Sequence, residues 1–99
     1  MRTKLISKKV IARINRAGVF HGVLDYWDDG IIRLKDVRRI YRWQGALSVT
    51  DMAANGISNT SKVTHPCGEV EFLSREVIEV NECSDIASKK IEGIKVWTA

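Results

Sequence analysis

Proline occurs once, cysteine twice and histidine twice, and no apolar stretch approaches the length of a membrane span. A transmembrane helix needs about 20 consecutive apolar residues, and stretches such as Val19-Phe20 or Ile31-Ile32 fall far short. The N-terminal run Met1 to Lys9 is basic but has no apolar core behind it, so a signal peptide is not expected and the chain is expected in the cytoplasm. Two cysteines, Cys67 and Cys83, cannot build a disulfide framework. His65 beside Cys67 is too sparse for a four-ligand zinc site, so both thiols are read as free. Catalytic signatures are missing as well. His21 and His65 are accompanied by no Gly-x-Ser-x-Gly elbow, no His-Glu-x-x-His helix and no glycine-rich phosphate loop. Asp25, Asp28 and Asp29 are close together, but two of them fall where a hairpin turn needs aspartate for its own chemistry. No catalytic residue, metal ligand or cofactor is expected.

What is present is the composition of one globular unit. In 99 residues, 44% are hydrophobic and 28% charged, enough for a core and too short for a second domain, so residues 1–99 read as a single domain. Charge is divided along the chain: residues 1–44 carry +7 and residues 45–99 carry −3, for a net +4. Such asymmetry suits a phosphate-bearing partner, nucleic acid included, or self-association in which the basic part of one copy meets the acidic part of another.

The pattern predicts strands first and short helices later. Val10, Ala12 and Ile14 alternate with Ile11, Arg13 and Asn15, as a half-buried strand does. A second strand, Val19 to Trp27, leads through Asp28-Asp29-Gly30 into Ile31 to Lys35, and Asp-Gly between two β-rich runs predicts a hairpin. Asp36-Val37 reads as a bulge or corner before a further extended run to Trp43. Ser48 caps a two-turn helix that ends at Asn55-Gly56, and Ser84 caps a second that stops at Gly93. Ser58 to Gly68 reads as polar connection, and Val70 to Leu73 and Val77 to Val80 as two more strands. Hairpin signals outnumber crossovers, so the expected fold is α+β: a small, mostly antiparallel sheet or partly open barrel with two short helices. Its exposed strand edges predict a homo-oligomer.

The segment Arg38-Arg39-Ile40-Tyr41-Arg42-Trp43-Gln44-Gly45-Ala46, running into Ser48, sets cations, flat aromatics and a helix start side by side. In an extended strand Arg39, Tyr41 and Trp43 share one face and Arg38, Ile40 and Arg42 the other. A guanidinium beside two π surfaces, a glycine that lets backbone approach a ligand, and helix N–H groups together suit a phosphate and a base. The candidate ligand-binding residues are therefore Arg38, Arg39, Tyr41, Arg42, Trp43, Gly45 and Ser48, with His21 on the neighbouring strand. The same residues also fit half-buried strand positions with arginine stems packed over aromatics.

The pattern Ala17-Gly18-Val19-x-His21-Gly22-x-Leu24, then Leu34-Lys35-Asp36-x-Arg38-Arg39-Ile40-Tyr41-x-Trp43-x-Gly45-Ala46-x-Ser48, then Met52-Ala53-x-x-Gly56-Ile57, resembles a family of small bacteriophage-encoded proteins. Val77-Ile78-Glu79-Val80-x-x-Cys83-Ser84 with Trp97 is similar to that family's ending. The resemblance implies a setting, a small phage accessory protein in the host cytoplasm, where anti-defence proteins are common. With arginines and aromatics concentrated in one segment rather than spread along a groove, a compact ligand is favoured over extended nucleic acid. The reading is a non-enzymatic sponge that sequesters a nucleotide immune messenger, such as a cyclic oligonucleotide or an ADP-ribose derivative. The alternatives are a small basic nucleic-acid-binding protein, or a protein-binding inhibitor of a host enzyme anchored by Trp43 and Arg42.

Overall fold

The structure is a computed structural model that describes residues 3–96; Trp97, part of the family-like ending, lies outside the described residues. Six strands form one antiparallel sheet: β1 (Lys9–Ile14), β2 (Gly18–Asp28), β3 (Ile31–Arg42), β4 (Lys62–Val63), β5 (Cys67–Leu73) and β6 (Val77–Glu82). Two helices, α1 (Val49–Asn55) and α2 (Asp85–Glu92), complete the α+β fold. The order is β4-β3-β2-β1-β6, with β5 also paired to β3, so the long β3 holds β5 along one half and β4 along the other.

The β2–β3 hairpin turns on Asp29 and Gly30, whose φ values of 53° and 77° are both positive, as a two-residue type I′ turn demands. Asp36 is a bulge rather than a break. Its φ of 52° absorbs one extra residue, shifting the register from Val23↔Lys35 to His21↔Arg38, and β3 continues as a single strand to Arg42. Gly22 faces this bulge, and a Cβ there would lie 2.9 Å from the Lys35 carbonyl oxygen.

Each face of the sheet carries its own core. Val10, Ala12, Ile14, Phe20, Leu24 and Leu34 form one cluster, and Phe72 of β5 and Val80 of β6 pack against it. The Phe20 and Phe72 rings meet at 4.8 Å although β3 separates their strands, because the sheet curls toward this face. On the other face Ile11, Val19, Ile40 and Val63 lie beneath Met52 and Ala53 of α1 and Ala87 and Ile91 of α2. The expectation of a half-buried first strand is corrected here: Val10, Ile11 and Ala12 are all fully buried, because the helices cover the face that alternation alone assigns to solvent. The connection expected at residues 58–68 contains the short strand β4, and β5 begins earlier than expected, at Cys67.

Both serine caps form as expected. Ser48 Oγ accepts from the Asp51 N–H at 3.1 Å, and Ser84 Oγ accepts from the Ala87 N–H at 3.0 Å. Ser84 Oγ also donates to the Ala54 carbonyl at 2.7 Å, tying the start of α2 to the end of α1.

Candidate functional site

Of the eight residues expected to form one site, six divide among three clefts, and Arg39 and Arg42 line none of the three. Tyr41, Trp43 and Ser48 line a cleft of about 540 Å³ beside the start of α1, with Arg13 of β1 and the loop residue Leu47. Arg38 and His21 line a second, of about 430 Å³, with Lys9 and Glu92. Gly45 lines a third, of about 560 Å³, with Lys89 and Lys90.

Arg39 does not line the first cleft, but its expected pairing with Tyr41 holds. The Arg39 guanidinium lies 5.9 Å from the Tyr41 ring centre and 5.0 Å from that of Phe20, within range of cation–π attraction. Trp43 does not share that face. The strand ends at Arg42 after a register shift against β4, and Trp43 folds onto the helix-side core. It therefore reaches the cleft from a different direction than Tyr41, which is 54% exposed.

The start of α1 is not the open anion site expected from its sequence. Besides the Ser48 cap, Asp51 Oδ2 accepts from the Leu47 N–H at 2.9 Å, which holds the Asp51 carboxyl below its ordinary range. A resident carboxylate and internal acceptors already serve this seven-residue helix.

Arg38 points to the helix side, where its Nη1 donates to the Ile94 carbonyl at 3.0 Å and the Ile91 carbonyl at 3.4 Å. It thus closes the C-terminal end of α2, where a cation suits the helix dipole. His21 is buried beneath α2 with its Nε2 3.2 Å from Ser88 Oγ. Burial, the largest cause, lowers its pKa to about 4 against the opposing charge of Glu92, so the ring is neutral at neutral pH. Lys9 bridges to Glu92 at 2.7 Å along the rim of this cleft.

Gly45 has φ of 87°, and a Cβ there would lie 3.2 Å from the Ser58 nitrogen. The backbone that approaches it is the protein's own. Arg42 is exposed at the strand end, in register with Lys62.

Arg13, Leu47 and Glu79 are among the cleft residues that local reading of the arginine segment missed. Arg13 comes from β1 and is placed by the register Arg13↔Val19 and Arg13↔Glu79. The first hairpin's register is the signal that brings it near. Cys67 is exposed, Cys83 is buried and both are free, and burial pushes the Cys83 thiol up. Among the described residues no group of three His, Cys, Asp or Glu side chains is placed to hold a metal ion, and no helix is long and apolar enough to cross a membrane.

The fold and clefts define a small α+β protein: a curled antiparallel sheet, a helix pair on one face, and an aromatic and cationic cleft where β3 runs out beside α1. The chain belongs to the family described as a domain of unknown function, DUF6948, whose model matches residues 7–91. No curated protein matches it.

Proposed function

We propose that this chain binds a nucleotide-type small molecule in the cleft formed by Tyr41, Trp43 and Arg13, and holds it without chemical change. The observation that carries the reading is the convergence of two aromatic rings and an arginine on one cleft of about 540 Å³, with Arg39 stacked on one of those rings. That volume lies within the ordinary range of small-ligand sites. An aromatic face suits a base, and a guanidinium suits a phosphate. Together with the resemblance to small phage proteins, this favours an accessory protein in the host cytoplasm that sequesters a nucleotide-derived immune messenger, as a homo-oligomer.

The test is incubation of the purified protein with a panel of cyclic oligonucleotides and cyclic ADP-ribose isomers, then removal of free ligand, heat denaturation and identification of what is released. Recovery of one intact compound supports sequestration, and a degraded product makes the protein an enzyme. A second reading draws on Leu47, which is 98% exposed at the same cleft. An apolar side chain so bare beside Tyr41 and Trp43 also suits the surface of a protein partner. No retained nucleotide, with a host protein bound through Leu47, would move the assignment there.

A further inference from the structure

The Tyr41–Trp43 cleft does not end at Arg13. A further cleft of about 370 Å³ runs from Arg13 past the β1–β2 turn to Ile78 of β6, and it shares Arg13, Gly18 and Val19 with the Tyr41–Trp43 cleft. They are two halves of one groove with Arg13 at the join. Its second half has no aromatic ring, but it sets a cation, Arg16, beside an apolar side chain, Ile78, that is 53% exposed.

Two features mark the second half as formed in advance. Arg16 sits in the left-handed region at φ of 66°, a conformation that non-glycine residues adopt rarely, and the turn is closed by the Ala17 N–H donating to the Ile14 carbonyl at 3.1 Å. Asn15 beside it donates its amide to Glu76 at 3.0 Å, tying the turn to the β5–β6 connection. Among the described residues, neither Arg13 nor Arg16 has a carboxylate within ion-pair distance. Glu79, opposite Arg13 in register, instead accepts from Asn81 at 3.3 Å, and its second oxygen suits a sugar hydroxyl or a base amino group.

We infer that the groove takes a ligand of at least two phosphate-linked nucleoside units, one base against Tyr41 and Trp43, the linking phosphate at Arg13, and the second unit along Ile78 with its phosphate at Arg16. This rests on the nucleotide-binding reading above and narrows it to ligands of two or more phosphate-linked nucleoside units. A mononucleotide fills only the first half.

Calorimetric titration of the whole protein with the four ribonucleoside 5′-monophosphates and the four matching 5′-phosphorylated homodinucleotides separates the two claims. The expected result is that the best dinucleotide binds at least about tenfold more tightly than its monophosphate, since it adds a charge-assisted contact. Arg16→Gly, which the left-handed backbone at this position accommodates, should return the dinucleotide to the affinity of the monophosphate and leave the monophosphate unchanged, and Arg16→Lys should restore part of the difference. Arg13→Ala should weaken both ligands. Equal affinity for the two ligand lengths, or equal effects of Arg16→Gly on both, overturns the two-unit groove while leaving nucleotide binding in place. If none of the eight compounds binds, the two-unit groove fails, while nucleotide binding is decided separately by the cyclic panel above.

Discussion

Tyr41 and Trp43 are close in sequence but stand in different physical situations, and substitutions should separate them. Tyr41 is more than half exposed, so Tyr41→Ala is expected to leave melting nearly unchanged while lowering nucleotide retention by about 1–3 kcal/mol of lost stacking. Trp43 packs on the helix-side core, so Trp43→Ala should lower both, because it opens a cavity as well as removing a ring. Melting and retention measured side by side on the two variants check this; retention that survives in both would remove these rings from the site. Arg39→Ala loses its place over Phe20 and Tyr41, worth about 0.5–1 kcal/mol of stability, and loses more in retention if its guanidinium meets phosphate. His21 makes a pH prediction. Its pKa is about 4 in the fold against 6.5 in the open chain, so the unfolded state takes up a proton first as pH falls. Stability from this group is therefore complete above about pH 6.5 and declines toward pH 4, by about 3 kcal/mol in total. Denaturant unfolding at neutral pH and near pH 5 should show the decline in the native protein and a shallower one in His21→Gln, which keeps a partner for Ser88 but does not titrate. Equal slopes would place the effect on the carboxylates.

Among the elements, β3 carries the most structural consequence, since it pairs with three other strands and absorbs a bulge at Asp36. Gly22 is the position that lets the bulge close. A methyl group there would press on the Lys35 carbonyl and on Val37, both held in the same pair of strands. Gly22→Ala is expected to cost about 1–3 kcal/mol in urea unfolding, the range for overpacking. Gly68→Ala in β5 meets nothing within 4 Å and serves as the matched control, with little change expected. Similar losses in both would detach the effect from contact at the bulge. Ser84→Ala should cost about 1 kcal/mol as a lost helix cap, and it also removes the hydroxyl that joins α2 to α1.

At the scale of the molecule, the charge divided along the chain is brought together across the sheet, where Arg33 of β3 meets Glu71 of β5 at 2.7 Å. The strand β3 carries Arg33, Lys35, Arg38, Arg39 and Arg42, while β5 and β6, each bonded to a single neighbouring strand, carry Glu69, Glu71, Glu79 and Glu82. Like charges oppose pairing of these edges with themselves, so self-association is expected to set the acidic edge of one copy against the basic strands of another. Light scattering should give a multiple of 11.2 kDa that falls toward the single-chain mass as salt is raised. A single-chain mass at high micromolar protein and low salt would remove the oligomer.

Local chemistry was legible from the chain because it is decided within a few residues. Asp29-Gly30 turns a hairpin since its backbone needs positive φ, Ser48 and Ser84 start helices since they satisfy free N–H groups, and Asp36 interrupts the alternation that a bulge interrupts. The α+β class follows from counting such signals. Tertiary structure alone decided what lies across the sheet. The helices bury Ile11 on a face that alternation assigns to water, and β4 forms in a polar stretch because the far end of β3 offers it a partner. The arginine segment was readable as cations and rings, but not as a site. Arg38 turns away to close α2, Gly45 makes room for Ser58, Asp51 occupies the start of α1, and Arg13 arrives from a strand near the other end of the basic half. Each of these depends on which distant backbone or side chain a residue meets, and such meetings are fixed by register and packing between strands rather than by the neighbours along the chain.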